Sequence, residues 1–290
     1  MDPKTRATLI GIVAILLWAL LALFTATAGA IPPFELMALT FAVAFAGGMV
    51  VLAARGKVGL AELRQPLAPW ATAFAGLFLY HALYFFALQN APVGDASIIA
   101  YLWPLLIVLF AAFLPGERLK PRHLAGAVLG FSGTALIILT KGGPVGGDGS
   151  AAGYVAALGC AFVWSGYSVL NRRFAGTPSG MLVGVCGAVA LAGLACHWLF
   201  EVSVAPSAQQ WIAVLLLGLG PVGLAFLAWD HATKHGHIAL LGTLSYLAPL
   251  ISTALLVLTG AAPASLKLAL AAVLVIGGAV LATGVGRKRA

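Results

Sequence analysis

The chain has 290 residues, of which 62% are hydrophobic and only 8% are charged. Soluble domains are roughly 45–50% apolar and about 25% charged, so this composition excludes a soluble fold, whose surface needs far more charge. The net charge of +8 does not call for a nucleic-acid partner, because the placement of the basic residues explains it below.

Along the chain, ten apolar runs of about twenty residues follow one another, which is the length of helix that crosses a hydrocarbon core about 30 Å thick. The runs are too long and unbroken for barrel strands, so helices are the only spanning structure left. We therefore predict an all-α polytopic membrane protein. The predicted spans are 7–27, 33–54, 69–89, 94–113, 121–139, 151–171, 179–199, 207–229, 237–258 and 264–285.

The first run follows Lys4 and Arg6, as the apolar core of a signal peptide does. Its apolar stretch from Leu9 to Ala28 is long enough to span a bilayer, so we interpret it as the first transmembrane helix.

Basic residues lie almost entirely on one side of the zigzag that these spans describe. The loops on the opposite side contain only Lys141 and Lys267, whereas all other lysines and arginines share the side of the N-terminus. By the positive-inside rule, that side is cytoplasmic. The sequence thus predicts a multi-pass protein of the cytoplasmic (inner) membrane with both termini in the cytoplasm.

An internal repeat divides the chain at a Gly-rich extracytoplasmic linker, 142–149. A shift of 145 residues superimposes several positions of the second half on the first without gaps, including two tyrosines and two prolines. We predict two five-helix repeats, 4–141 and 150–287. Because five is odd, the repeats enter the bilayer from opposite sides, an inverted arrangement typical of secondary transporters with a site near the midplane.

Both halves carry a Trp late in their first helix and a Tyr-Leu-x-Pro motif in a later one. These residues are Trp18 and Trp164, Tyr101–Pro104 and Tyr246–Pro249. Over essentially its whole length the chain thereby resembles the EamA-type members of the drug/metabolite transporter superfamily. The run Tyr80-His81-Ala-Leu-Tyr84, followed by Tyr101-Leu-Trp103-Pro104, is similar to the YddG-type aromatic amino-acid exporters.

That resemblance implies ten helices in two inverted repeats around a central cavity. It also implies efflux of amino acids or similar metabolites through the cavity, with no bound cofactor.

The two repeated prolines, Pro104 and Pro249, lie near the middle of their spans. A mid-helix proline removes a hydrogen bond and clashes with the carbonyl four residues back, which here frees the carbonyls of Ala100 and Ser245. Paired breaks of this kind point to a transporter site, and simple packing kinks are the alternative.

Aromatic side chains accompany these breaks deep in the membrane. Tyr80, His81 and Tyr84 share one face of the third span, and Trp164 begins a stripe in the sixth. Rings can hold an ammonium group and shelter an apolar side chain, although structural bonds between helices are the alternative role. The candidate substrate-binding residues are Tyr80, His81, Tyr84, Tyr101, Trp103, Pro104, Trp164, Tyr167, Ser245, Tyr246 and Pro249.

Acidic residues are rare in the spans, and we interpret Glu35, Asp95 and Asp230 as solvated helix ends. A proton-coupled exporter of cationic drugs, the alternative function, needs a carboxylate deep in its site, and the predicted midplane has none. An intramembrane enzyme is a weaker alternative, because no catalytic or metal-binding motif is present. A passive channel is a further weak alternative, and a saturable, competable rate would distinguish a carrier from a pore.

The lead hypothesis is therefore a secondary transporter, not an enzyme, that exports amino acids by alternating access and prefers aromatic or neutral ones. Its expected partners are a small-molecule substrate and the lipid bilayer, without metal, cofactor or nucleic acid. The oligomeric state stays open, and a monomer is favoured.

Overall fold

The structure, a computed structural model, describes residues 1–115, 119–140, 149–258 and 265–283. Within these ranges the chain forms helices and no strand, which confirms the all-α class. The helices are α1 (Pro3–Ala19), α2 (Leu21–Ala28), α3 (Pro33–Ala54), α4 (Gly56–Ala61), α5 (Leu67–Asn90), α6 (Val93–Ala100), α7 (Trp103–Ala111), α8 (Pro121–Thr140), α9 (Ala151–Leu170), α10 (Met181–Phe200), α11 (Ala208–Leu217), α12 (Ala225–His235), α13 (Ile238–Leu244), α14 (Leu247–Leu258) and α15 (Leu266–Thr283).

Among the described residues, nine helical stretches are long and apolar enough to cross a membrane, and a tenth, Leu266–Ala282, is shorter. They coincide with the ten predicted spans and confirm a polytopic membrane protein. One boundary is wrong: the eighth span was predicted to end at residue 229, but its helix continues to His235. The extra turns carry Asp230 and Lys234, whose polarity hid them from a hydropathy argument.

Three of the spans are interrupted near a proline. The fourth span breaks between α6 and α7, just before Pro104, and the ninth breaks between α13 and α14, just before Pro249. In the eighth span a π-helical segment, Gly218–Leu224, surrounds Pro221 and joins α11 to α12. Since proline cannot donate to the preceding turn, each interruption follows directly from the sequence.

One detail of the predicted breaks is wrong. The Ser245 carbonyl is not free, because the Ala248 amide donates to it at 3.1 Å. A tighter local turn therefore compensates for the bond that Pro249 removes.

The main packing partners come from opposite halves of the chain: α1 packs on α12, α3 on α10, α5 on α9 and α8 on α15. Glycine permits the close crossing of α8 and α15. A Cβ atom added to Gly126 of α8 would lie 2.5 Å from the Gly278 carbonyl of α15, so only glycine allows the two backbones to approach this closely.

The buried side chains form two main groups. A central core is contributed mostly by α1, α3, α5, α9, α10 and α12. A second core joins α7 and α8 to α14 and α15, and includes the ring of Tyr246. Of the predicted repeat boundaries, residues 141 and 284–287, together with 142–148 of the linker, lie outside the described residues.

Candidate substrate site

Four tryptophans, each from a different span, meet in the central core. Trp18 of α1 lies 5.1 Å from Trp229 of α12 and 5.7 Å from Trp164 of α9, measured between ring centroids. Trp103 of α7 completes the group at 5.9 Å from Trp229. Most of these pairs are edge-to-face, the arrangement that the aromatic quadrupole favours. We call Trp18, Trp103, Trp164 and Trp229 the indole cluster.

The aromatic face of α5 adjoins the indole cluster. The ring of Tyr80 lies 5.3 Å from that of Trp164 and stacks on Tyr84 at 6.1 Å. The Tyr84 hydroxyl is 3.3 Å from Ser97 Oγ on α6. The third span thus extends the indole cluster on one side with two tyrosines.

His81 joins this aromatic group to α3 and α12. Its ring meets Phe41 edge-to-face at 5.4 Å and Phe226 at 6.3 Å. Its Nδ1 lies 2.7 Å from the Leu77 carbonyl. Because a carbonyl only accepts, Nδ1 carries the proton, and Nε2 of the neutral ring is an acceptor.

Three hydroxyls of this region, those of Tyr80, Tyr101 and Tyr167, form no hydrogen bond with any described residue. In the described part of the chain, none of the three oxygens is among the fully buried polar atoms that lack a hydrogen bond, so each retains some accessible surface. Tyr101 lies near Tyr80 and Tyr84, and the ring of Tyr167 packs 5.4 Å from that of Trp164. Buried tyrosine hydroxyls ordinarily find a partner, so these oxygens are available to water or a ligand.

A buried polar network closes the bundle between α9 and α12 at the end that carries most basic residues. Asn171 Nδ2 donates to Asp230 Oδ1 at 2.9 Å and to Thr233 Oγ1 at 3.0 Å. Lys234 Nζ donates to Asp230 Oδ2 at 2.8 Å and to the Thr177 carbonyl at 3.0 Å. Asp230 is fully buried, so its interpretation as a solvated helix end is wrong.

At the opposite end a carboxylate fastens α3 to α10. Glu201 accepts from the backbone amides of Phe34 and Glu35, at 2.9 and 3.0 Å, in the first turn of α3. His197 Nδ1 lies 2.9 Å from the same carboxylate. A negative charge at a helix N-terminus is favourable, because the unpaired amides and the helix dipole both attract it.

A cavity of about 550 Å³ lies apart from the indole cluster, between α3, α10 and the eighth span. Its lining includes Arg55 and Glu62, which form an ion pair, as well as Ala44 and Gly223. Ala44 is one helical turn from Phe41, at the edge of the aromatic region. The walls of this cavity are mainly aliphatic, whereas the aromatic and hydroxyl groups described above lie outside it.

The structure brings most of the predicted site residues together, but not all. Those that gather in the aromatic region are Tyr80, His81, Tyr84, Tyr101, Trp103, Trp164 and Tyr167. Pro104 is buried where α7 meets Gly242 of α13. Pro249 lies in α14, and the Ser245 hydroxyl donates to the Leu241 carbonyl of its own helix at 2.8 Å. Tyr246 belongs to the second core.

Sequence reasoning missed Trp18, Trp229, Phe41 and Phe226 as members of the site. Trp229 was missed because the eighth span was ended at that residue. The repeat contained a usable signal: the 145-residue shift superimposes Trp229 on Tyr84 and Phe226 on His81.

Comparison with known proteins gives consistent relatives. The chain is 52% identical over 289 residues to a protein of Ancylobacter novellus named aromatic amino acid exporter YddG, covering 98% of this chain and 99% of that one. A Salmonella typhimurium protein of the same name is 26% identical over 301 residues, covering 98% and 99%. A crystal structure with 51% sequence identity superimposes with a TM-score of 0.92, covering 98% of this chain and 100% of its own.

The sequence profile of the EamA-like transporter family matches residues 5–139 and again residues 151–284. The two matches together cover nearly the whole chain, in agreement with its polytopic helical fold. This protein belongs to the EamA-like transporter family.

Proposed function

We propose that this protein exports amino acids, preferably aromatic or neutral ones, across the cytoplasmic membrane by alternating access. The indole cluster together with three unpartnered tyrosine hydroxyls carries this proposal. Apolar and aromatic walls with a few polar groups are the usual lining of a small-molecule site. The names of the Ancylobacter and Salmonella relatives support the same substrate class.

Each part of an amino acid has a matching group in this region. Indole faces attract an ammonium group through cation–π interaction worth about 0.5–2 kcal/mol. The hydroxyls of Tyr80, Tyr101 and Tyr167 can donate to a carboxylate, and Nε2 of His81 can accept a hydrogen bond from the ammonium. The rings themselves offer stacking surface to an aromatic side chain.

The alternative, proton-coupled export of cationic drugs, has less support. A proton/cation exchanger is expected to carry a carboxylate deep in its site, since intramembrane acidic residues mark proton relays and ion pathways. Asp230, the buried acid nearest to the indole cluster in sequence, is committed to Lys234 and Asn171. Competition of dication efflux by amino acids would nevertheless show shared use of the site.

We further propose that residues 4–141 and 150–287 are inverted repeats. In the two repeats, α5 corresponds to α12 and α9 corresponds to α1. The packing of α5 on α9 therefore has its counterpart in the packing of α12 on α1, as repeats related by a two-fold axis require. The double match to one family profile supports the same division. Alternating access then corresponds to movement of one half against the other around the aromatic region.

Export from proteoliposomes loaded with labelled phenylalanine tests the function. We expect Trp164→Ala to reduce the rate at least about tenfold, because it removes a ring from the centre of the site. Trp198→Ala is the matched control, since Trp198 is 73% exposed and lies outside the indole cluster. Wild-type rates in folded Trp164→Ala protein contradict the proposed site.

A conservative pair guards against misfolding of the alanine variant. Tyr101→Phe removes a single hydroxyl, and we expect the affinity for phenylalanine to fall about two- to tenfold, the usual value of one hydrogen bond. Tyr154→Phe is its control, because the Tyr154 hydroxyl donates to Asp95 at 3.0 Å and is not one of the three unpartnered hydroxyls.

A further inference from the structure

The break between α6 and α7 determines how Tyr101 and Trp103 are oriented. Tyr101 and Leu102 separate the helices, and Trp103 begins α7 one residue before Pro104. In an uninterrupted α-helix, the amide of Leu105 would donate to the carbonyl of Tyr101. The position of Trp103 in the indole cluster therefore depends on what holds this turn open.

The hydroxyl of Tyr246 occupies the gap. The Leu105 amide donates to Tyr246 Oη at 3.1 Å, and that hydroxyl donates to the Tyr101 carbonyl at 3.3 Å. One oxygen thus stands between the donor and the acceptor that a regular helix would join directly. A side chain inserted into the ladder of backbone bonds is a recognised cause of sharp helix kinks.

The ring of Tyr246 is fixed from behind, so its hydroxyl has little freedom. Tyr246 is fully buried in the second core. A Cβ atom added to Gly130 of α8 would lie 2.5 Å from Tyr246 Cδ2, and the Phe131 ring centroid is 6.4 Å away. The rigid ring, packed on α8, therefore fixes the Tyr246 hydroxyl within the break of the fourth span.

The repeat-related tyrosines have different tasks. Tyr101 and Tyr246 occupy equivalent positions in the two halves. The Tyr101 hydroxyl forms no hydrogen bond with α13, α14 or any other described residue, whereas Tyr246 bonds to the backbone of the opposite half. One tyrosine is left for the ligand, and the other shapes the helix that presents it.

We propose that Tyr246 is a positioning residue of the transport site, acting through the α6–α7 break on Tyr101 and Trp103. This inference rests on the proposed export of aromatic amino acids. It assigns Tyr246 no contact with substrate, in contrast to its sequence-based assignment as a binding residue.

Tyr246→Phe tests the inference, because it removes only the inserted oxygen and keeps the ring that fills the core. The Leu105 amide and the Tyr101 carbonyl can then bond to each other as the kink relaxes. We expect the thermal midpoint to change little, the KM for phenylalanine to rise about tenfold, and the maximal rate to stay within about twofold. A fall in maximal rate with unchanged KM contradicts positioning.

A spectroscopic readout separates this inference from the proposed function. With 5-fluorotryptophan incorporated, we expect the ¹⁹F resonance of Trp103 to shift in substrate-free Tyr246→Phe protein, while that of exposed Trp198 does not. This shift is expected whatever the substrate is. An unmoved Trp103 resonance overturns the role of Tyr246, whereas wild-type protein without phenylalanine export overturns only the proposed function.

A second variant reaches the same ring from the other side. Gly130→Ala keeps the hydroxyl group but forces the Tyr246 ring, and the hydroxyl with it, to move. It should therefore shift the Trp103 resonance as well. Gly166→Ala of α9 is its matched control, because a Cβ atom there meets no atom within 4 Å. Equal spectra for the two glycine variants contradict the proposal.

Discussion

At the scale of single residues, Trp18 connects the indole cluster to the irregular part of the eighth span. Its Nε1 donates to the Pro221 carbonyl at 3.1 Å, across 203 positions of sequence. That carbonyl lies in the π-helical segment, where regular backbone bonding is disturbed. The Trp18 indole therefore supports the backbone of the eighth span as well as packing in the indole cluster.

We expect Trp18→Phe to lower the free energy of unfolding by about 1–3 kcal/mol, because it leaves the Pro221 carbonyl without this donor. Reversible unfolding in mixed detergent measures the change. Trp198→Phe makes the same substitution on the lipid-facing surface and should cost less than about 0.5 kcal/mol. Equal losses for the two variants argue that the Trp18 bond is energetically unimportant.

Individual residues of the aromatic region were predictable where they repeat at helical spacing. Tyr80, His81 and Tyr84 were identified because they fall on one face of a single helix. Trp229 was not identified, because its place in the indole cluster depends on packing between distant spans. In addition, the buried charges that follow it made the predicted span end too early. The hydrogen bonds of Tyr246 to the backbone of the fourth span could not be predicted either. Periodicity along α13 and α14 carries no information about the backbone of α6 and α7.

At the scale of elements, the buried pair Asp230–Lys234 joins successive turns of α12. The two side chains are 0% and 1% exposed. We expect Lys234→Met to destabilise the protein by about 3–5 kcal/mol, because it leaves a buried carboxylate without its partner. Asp230→Asn combined with Lys234→Met should recover much of that loss, which thermal unfolding of the three proteins would measure.

The exposed pair Arg55–Glu62 provides the contrast. Its arginine side chain is 51% exposed, so solvent already screens the interaction. Arg55→Met is therefore expected to cost at most about 1 kcal/mol. Similar costs for Arg55→Met and Lys234→Met would mean that burial does not set the strength of these two ion pairs.

The crossing of α8 and α15 depends on one of two neighbouring glycines. A Cβ atom at Gly278 would lie 2.5 Å from the Gly126 carbonyl, whereas one at Gly277 meets nothing within 4 Å. We expect Gly278→Ala to lower stability by about 1–3 kcal/mol through overpacking. Gly277→Ala should leave stability unchanged or raise it by about 0.5–1 kcal/mol, since alanine favours the helix; the same unfolding assay distinguishes them.

Helix boundaries were predictable to the extent that polarity marks the membrane surface. The second predicted span, 33–54, has the bounds of α3, where Pro33 begins the helix and Arg55 follows it. In the eighth span the rule failed, because Asp230 and Lys234 neutralise each other inside the protein. Burial of paired charges is a tertiary property, and hydropathy along the chain cannot report it.

At the scale of the whole molecule, the composition and the ten apolar runs were enough for the fold class. Composition and apolar runs are not enough to establish the central cavity or the inverted repeat, because both concern the relation of spans far apart in sequence. The orientation in the membrane is testable directly. We predict that the end bearing Lys57 faces the cytoplasm and the end bearing Val202 faces outward.

Single cysteines placed in a variant without native cysteines measure this orientation. Cys160 and Cys186 are buried and Cys196 is partly exposed, so all three are replaced first. In intact cells we expect a membrane-impermeant maleimide to label Val202→Cys but to label Lys57→Cys only after permeabilisation. The reverse pattern would invert the topology and the proposed direction of transport.

The gathering of four of the seven tryptophans at one point has an optical consequence. Indoles packed this closely share excitation energy, so much of the intrinsic ultraviolet emission of the protein originates at this one location. Any molecule that wedges between those rings alters the emission of several fluorophores together. Intrinsic tryptophan fluorescence can therefore be used to follow ligand binding at the indole cluster in an unlabelled sample.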